Sequence, residues 1–486
     1  MAAETEGDAM TDPLQVDDRI LVGGEWRTAE ERLTIVSPST EEEVGVVGVA
    51  GAPSAQAAVA AARAAFDEGP WPRMSPAERA RHLARVHQGF VDRHEEIADA
   101  VTTEIGVPHG MSRGMLARAR MLWEDHLEMA GSLRFEEERS FPIGTGRVVR
   151  EPVGVVLGFP SWNGPAYNVS LKSAPPLLAG CPVVLKTVPE VGLSTRIFAE
   201  IFREADLPPG VVSLVPAGAE VSEALVAHPG VDKVSFTGST AVGRRIMSLC
   251  AERIGRVTLE LGGKSAAVVL DDVDPDEATA RAVSNGVQNS GQVCSANTRL
   301  VLPRHRYDEW LEALGAALAS LRVGDPFDPA TDLGPLAHRR HLDRVEGYLR
   351  LAREEGARVV TGGGRPAGLD RGHYLEPTLL DGTNDMRVAR EEIFGPVLVA
   401  IPYRDRAEAV ALANDSPYGL AGTVYSGDPA SADAVAAGLR AGVIRINHGV
   451  SHPAMPFGGF KQSGVGREGG PVGLDGYLEV KAISYP

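Results

Sequence analysis

The sequence predicts an α/β protein with a parallel, doubly wound sheet, and three observations carry that prediction. Short apolar runs alternate with Ala-rich helical stretches through residues 152–254. A second alternation begins after Gly262-Gly263. A charged excursion over 133–149, with Pro142, Gly144 and Gly146, separates the first helices from the first sheet and reads as a β-hairpin. Alternating βαβα order is the signature of a parallel sheet covered by helices.

In chain order, residues 54–67 read as a helix with Ser54 near its N-cap, and 77–98 as one helix announced by Ser75-Pro76. Residues 152–159 (PVGVVLGF) form a continuous apolar run, as expected of a strand buried on both faces. Strands follow at 182–185, 211–215 and 231–236, with helices at 194–205, 221–227 and 240–254. In the second unit, strands fall at 266–270, 299–302, 397–401 and 443–446, with a helix at 275–286. No internal repeat or low-complexity tract interrupts this order.

A chain of 486 residues is long enough for two or three lobes. Its 48 basic and 65 acidic side chains leave a net charge of −17, which argues against a nucleic-acid or membrane-surface binder. No apolar run reaches the roughly 18–20 residues of a membrane span. The N-terminal run MAAETEGDAMTDP is acidic and polar, so it reads as a frayed tail and not as a targeting peptide. Cys181, Cys250 and Cys294 are too few and scattered for a disulfide framework, and no Cys/His spacing suits a metal. A cytoplasmic location is the expectation.

The chemistry centres on Cys294, in NSGQVCSANTR, and Glu260, thirty-four residues upstream in LELGGK. Together they supply a thiol nucleophile and a general base, suited to covalent chemistry on a carbonyl followed by attack of water. Strand alternation puts Thr258 and Glu260 on one face, with Gly262-Gly263 ending the strand. Each residue also has a plainer reading. Glu260 is otherwise a solvated edge-strand carboxylate, and Cys294 an inert buried hydrophobe. Cys250 fits the plainer reading, in an apolar helical stripe with Ile246 and Leu249, and Cys181 reads as structural. The segment Gly238-Ser-Thr-Ala-Val-Gly243 follows a strand and opens a helix, which suits an anion or an ordinary capped turn. Asn163, just past the 152–159 run, is an oxyanion donor or a turn asparagine.

Two motif matches lack their context. Gly464-Val-Gly466-Arg-Glu-Gly469 satisfies GxGxxG, but no strand precedes it and no βαβ unit fits after it. Gly110-Met-Ser112-Arg-Gly114 satisfies GxSxG, but Pro108 and His109 spoil the strand that a nucleophile elbow needs. A serine hydrolase built on Ser112 is the alternative of a different class.

Eight segments in order then carry a resemblance: PSWN (160–163), VVLK (183–186), FTGSTAVG (236–243), LELGGKS (259–265), GQVCSANTR (291–299), EEIFGPV (391–397), SPYGLAG (416–422) and PFGGFKQSGVGRE (456–468). The chain resembles the aldehyde dehydrogenase superfamily over nearly its whole length. That resemblance implies a Rossmann-type cofactor lobe (1–132 and 151–261), an α/β catalytic lobe (262–462), and a small β oligomerisation hairpin with the C-terminal strand (133–150 and 463–486). It implies oxidation of an aldehyde to the acid with NAD or NADP through a Cys294 thioester. Asn163 and the Cys294 N–H would hold the oxyanion, Glu260 would activate water, and Lys172 would lie near the catalytic machinery. Pro160, Trp162, Lys186, Gly238, Ser239, Gly243, Leu261, Glu392 and Phe394 would hold the cofactor. Gly164, Tyr167, Asn168, Leu171, Val293 and Ser295 would line the substrate path.

The resemblance further implies a small-molecule aldehyde partner and a homodimer or homotetramer, while charge, hydropathy and Cys/His spacing give the expectation of no nucleic acid, no membrane and no metal. A non-catalytic homologue would be signalled by loss of Cys294 or Glu260, and both are present. Retention of Glu260 favours hydrolysis of the thioester over transfer to coenzyme A. Two departures stand out. Pro189, followed by Glu190, occupies a position where the family often has the ribose-pairing glutamate, which weakens the case for strict NAD preference. Gly164 replaces a residue that is often aromatic.

Overall fold

The computed structural model describes residues 16–486. The expectation of a frayed N-terminus falls on residues outside that range. Eight strands form the first large sheet, in spatial order Gly464–Val465, Arg256–Glu260, Lys233–Thr237, Val156–Phe159, Val183–Leu185, Val212–Leu214, Arg19–Val22, Glu25–Thr28. The five strands from Arg256–Glu260 to Val212–Leu214 run parallel. The chain moves outward from Val156–Phe159 in one direction and then returns to its other side. That reversal creates a crevice at the C-terminal strand ends, where doubly wound sheets take ligands.

The second sheet has seven strands: Arg358–Thr361, Thr378–Asp381, Val397–Tyr403, Arg299–Pro303, Ala266–Val269, Ala421–Tyr425, Val443–Ile446. All pair in parallel except the first two, which are antiparallel. A three-stranded sheet joins the hairpin Glu136–Phe141 and Gly144–Pro152 to the C-terminal strand Leu478–Tyr485. The remaining sheet packs Glu43–Val49 between Val16–Asp17 and Glu31–Val36.

Three local expectations need correction. The helix predicted over 77–98 is two helices, Pro76–Asp92 and His94–Ile105. The break falls at Arg93 (φ −102°, ψ 24°), whose guanidinium reaches away to Glu200 and Glu204. The Ser75 start holds as a capping box with Glu78. Ser54 is not an N-cap, since its helix begins at Ala52 after Gly51. Glu30 serves that end from a distance, accepting from Gly51 N at 2.7 Å and Ser54 N at 3.0 Å. The 152–159 run is two strands, one ending at Pro152 and the next beginning at Val156. Gly154 lies between them at φ +126°, and Asp232 packs where its side chain would be.

Helix Pro165–Ala179 carries the site toward the first sheet. Thirteen of its fifteen residues are buried, Lys172 among them. Trp123, Phe90, Phe198 and Phe202 pack in a chain of ring contacts in the same core. No helix among the described residues is long and apolar enough to cross a membrane.

Candidate active site

Four segments end at the same edge of the first sheet. Pro160–Asn163 follows Val156–Phe159, Lys186 follows Val183–Leu185, Gly238-Ser239 follows Lys233–Thr237, and Glu260 ends Arg256–Glu260. Parallel register aligns them, with Thr237 opposite Glu260 and Phe236 opposite Phe159. Ser239 is the N-cap of Thr240–Ala251, accepting from Val242 N at 3.3 Å. The remaining free N–H groups of that first turn suit an anion. Gly243 packs tightly on the residue after the Arg256–Glu260 strand: a Cβ there would stand 2.5 Å from the Leu261 side chain. The neighbouring Thr237 hydroxyl is buried with no protein partner.

Glu260 is 2 % exposed, so the reading as a solvated edge carboxylate is wrong. Its strand is not the edge, because Gly464–Val465 pairs antiparallel beside it and covers it. Gly458 approaches so closely that a Cβ would lie 2.6 Å from Glu260 Oε1. Neither carboxylate oxygen accepts a hydrogen bond from the protein. Burial raises Glu260 well above the usual carboxylate range, and the Glu468 charge raises it further, while Lys172 and Arg467 pull against them.

Lys172 lies on Pro165–Ala179 and is ion-paired with Glu468 in full burial. Ser235 Oγ also donates to Glu468, at 3.2 Å, and Tyr477 OH to Ser235 Oγ at 3.2 Å. Glu468 ends the last of the eight quoted segments, yet its role as the Lys172 partner is new. The two residues are 296 positions apart, and no local spacing connects them. Lys172→Met would strand a buried carboxylate. We expect a loss of about 3–5 kcal/mol in urea denaturation, largely recovered in Lys172→Met/Glu468→Leu. Equal stability of the single and double variants would contradict this.

The Cys294 loop rests on three consecutive left-handed residues: Asn289 (φ 49°), Ser290 (φ 52°) and Gly291 (φ 72°). Left-handed backbone costs a non-glycine residue roughly 1–2 kcal/mol. Side-chain hydrogen bonds hold it there. Asn289 Nδ2 donates to Asn163 O (3.1 Å) and Ser290 Oγ to Gly334 O (2.7 Å), while Gln292 Oε1 accepts from Ala337 N (3.0 Å). At Gly291 a Cβ would meet Gly395 O at 2.0 Å, so this turn needs glycine. Asn163 Nδ2 donates to Gln292 O at 2.8 Å, and Asn163 Oδ1 accepts from Ser161 Oγ at 2.7 Å. That fixes the amide beside the Cys294 loop with one N–H left to give. Gly263 brings the Glu260 segment onto the same loop, since a Cβ there would lie 2.5 Å from Cys294 O.

Cys294 retains some solvent access. Burial in the cleft pushes its thiol up to about 12, and the Glu392 and Glu260 carboxylates add to the rise. Cys181 and Cys250 are buried, as expected of structural cysteines. Ser112 is also fully buried, inside the helix His109–Ala130, with its hydroxyl 2.9 Å from that of Thr102. Nothing there resembles a nucleophile elbow.

On the opposite wall, Glu392 accepts from Gly263 N at 3.0 Å, and Phe394 adopts φ 65°. Trp162 meets the rings of His338, His341 and Phe394 edge-on at 5.3, 5.9 and 5.6 Å. Arg344 donates to Glu392 O at 2.6 Å, and His341 Nε2 is 2.6 Å from Phe394 O. The His341 and Arg344 contacts come from the helix Arg339–Glu354, which carried no motif signal and has His338 as its N-cap. Lys186 is buried and pushed down to about 8, with Glu190 opposing the fall. Glu190 pairs with Arg340 at 2.8 Å.

Helix Pro165–Ala179 also supplies Tyr167, Asn168 and Leu171, directly after Gly164, and Asn168 Nδ2 donates to Gly164 O at 3.0 Å. Val293 and Cys294 are partly exposed, whereas Ser295 and Leu171 are buried.

A doubly wound sheet whose strand ends meet a strained cysteine loop is the frame of an enzyme that holds a nucleotide beside a cysteine nucleophile. The model of the "Aldehyde dehydrogenase family" matches residues 26–483, and the chain belongs to that family. Among similar proteins, geranial dehydrogenase from Castellaniella defragrans is 42% identical over 96% of this chain and 98% of its own length. An aldehyde dehydrogenase of Mycobacterium tuberculosis, solved with NAD+, superposes with TM-score 0.94 at 42% identity, covering 97% of this chain and 99% of that one. A mutant aldehyde dehydrogenase C of Pseudomonas syringae, solved with NAD+ and octanal, gives TM-score 0.93 at 38% identity, covering 97% of each.

Proposed function

We propose that the protein oxidises an aldehyde to its carboxylic acid, with NAD or NADP, through a thioester on Cys294. The observation that carries this reading is the packing of the Asn163 amide, the Glu260 segment and the Cys294 loop against one another. Cys294 Sγ loses its proton to solvent and attacks the aldehyde carbon as the thiolate, and the oxyanion takes hydrogen bonds from Asn163 Nδ2 and Cys294 N–H. A bound nicotinamide supplies the hydride acceptor. Glu260 then takes a proton from water as that water attacks the thioester carbonyl.

The cofactor fits the residues present. The helix N-terminus at Ser239 suits a pyrophosphate, Glu392 and Phe394 the nicotinamide ribose and ring, and Lys186 the adenosine ribose, with Pro160, Trp162 and Leu261 lining the crevice. We assign the cofactor-binding unit to 16–132 and 151–261, joined by the strand Gly464–Val465 that pairs beside Glu260, the catalytic unit to 262–462, and assembly to 133–150 with the C-terminal strand Leu478–Tyr485. Phe141, Ile143 and Val480 stand exposed on that last sheet, which supports a homodimer or homotetramer.

The test is to mix protein, NAD or NADP, and a panel of aliphatic, aromatic and acid-bearing aldehydes, and to follow reduced nicotinamide. No reduction with any of them sinks the reading. Asn163→Ala removes one oxyanion donor and should lower kcat by about 100- to 1,000-fold; a change under tenfold would remove it from that role. Pro189 stands where the family often has the ribose-pairing glutamate, and the neighbouring Glu190 is paired with Arg340. We expect kcat/KM with NADP within about tenfold of that with NAD, a gap of about 1.4 kcal/mol. Strict NAD use would contradict the Pro189 argument.

A further inference from the structure

Lys264 follows the Gly262-Gly263 turn, and no step of the proposed reaction uses it. It is 2 % exposed, and its Nζ has no hydrogen-bond partner among the described residues. The hydroxyl of Ser265, next in the chain, is also buried without a partner. Both residues line a cavity of about 320 Å³ where the strands Ala266–Val269 and Ala421–Tyr425 begin. Arg299, Asn414, Tyr418 and Arg440 line it too, and no acidic residue does. Arg299 is buried and gives its donors to backbone carbonyls: Nε to Lys264 O at 2.9 Å, and its terminal nitrogens to Leu412 O at 2.8 Å and Ala413 O at 2.7 Å. Those bonds fix the guanidinium and neutralise no charge. Arg440 is exposed, and it is held only through its backbone N–H, which donates to Asn414 Oδ1 at 2.7 Å.

Three basic residues and no acid around one cavity reverse the balance of a chain whose net charge is −17. A buried amine and a buried hydroxyl without acceptors are each costly. Burial, and then the Arg299 charge, pushes Lys264 down to about 7, with Glu392 and Glu391 opposing the fall. One kind of guest removes both costs. A small oxyanion accepts from Lys264 and Ser265 at the buried end and from the free Arg440 fork at the open end, and its charge offsets that of Lys264 and Arg299.

We propose that this cavity binds a small oxyanion of the phosphate class, held by Lys264, Ser265 and Arg440, with Arg299 as a fixed positive charge beside it. The proposal does not depend on the oxidation reading, because none of these four residues has a part in that reaction.

The test uses inorganic phosphate, counted by equilibrium dialysis at fixed ionic strength. NAD is present at saturation to cover the anion-suited helix start at Ser239. We expect a single phosphate per chain. Lys264→Met should abolish its binding, and Arg440→Gln should weaken it about tenfold, the worth of one hydrogen bond to a charged group. Arg440 is exposed, so its variant gives a reading even if Lys264→Met folds poorly. Cyanate, which carbamoylates uncharged amines, reads the site at the lysine itself. Phosphate at about ten times its dissociation constant should slow carbamoylation of Lys264 about tenfold and leave that of the exposed Lys481 unchanged, as followed by peptide mass spectrometry. No bound phosphate, an affinity unmoved by Arg440→Gln, or a Lys264 that phosphate does not shield from cyanate each overturns the proposal.

Discussion

Cys294→Ser should bring aldehyde oxidation down by about four to six orders of magnitude, the scale seen when a nucleophile is removed from a covalent mechanism. Serine keeps the size of the side chain and the loop contacts, so the fold and cofactor affinity should survive. A residual rate within tenfold of wild type would mean that the chemistry does not pass through this sulfur. The wild-type thiol carries a further prediction. Burial, Glu392 and Glu260 together push it to about 12 without substrate. Near neutral pH the thiol is then almost wholly protonated. Alkylation by iodoacetamide should climb about tenfold per pH unit from 7 to 10, because the thiolate is the reactive form. A plateau near pH 7 would show a thiol activated before substrate or cofactor arrives.

The parts of this site that were legible in the sequence are those whose chemistry is held in contiguous residues. Strand alternation placed Glu260 opposite Leu259 and Leu261, and the Gly-rich turn after it located the strand end. The strand–glycine–helix order around Gly238 and Ser239 gave the helix start correctly, at Thr240. What stayed hidden depends on distant pairs or on irregular backbone. Gly464–Val465 is two residues long and has no period to read, yet it turns Glu260 from an edge carboxylate into a buried one. Glu468 meets Lys172 only because the C-terminal segment folds back over the first sheet. The left-handed run at Asn289 and Ser290 breaks the usual preference of non-glycine residues, and only Gly291 advertises it. Arg93 interrupts a helical pattern that continues on both sides, so hydrophobic spacing alone read one helix.

Glu260→Gln should separate the two halves of the reaction. The first turnover should still reduce the nicotinamide, because Cys294 and Asn163 remain. The thioester should then accumulate, with steady-state kcat down by about 100- to 10,000-fold, the contribution of a positioned general base. A burst equal to the enzyme concentration followed by near-arrest, with an acylated Cys294 in the mass spectrum, is the expected record. Steady turnover at the wild-type rate would remove Glu260 from deacylation. The same variant has two electrostatic consequences whose signs follow from the structure. Loss of the Glu260 charge removes one of the groups that raise Cys294, so alkylation at a given pH should quicken. If Glu260 instead served to deprotonate Cys294, alkylation would slow. Stability should also shift. Glu260 is raised in the folded state, so the fold favours its protonated form. Above the unfolded-state pKa of about 4.3 its ionisation works against folding, and the penalty is complete only above the raised folded value. The stability gain of Glu260→Gln should therefore be absent below about pH 4 and grow as pH rises from there toward the raised folded-state value, as read from urea midpoints across that range. A gain that is constant with pH would assign the effect to packing of the amide and not to relief of a buried charge.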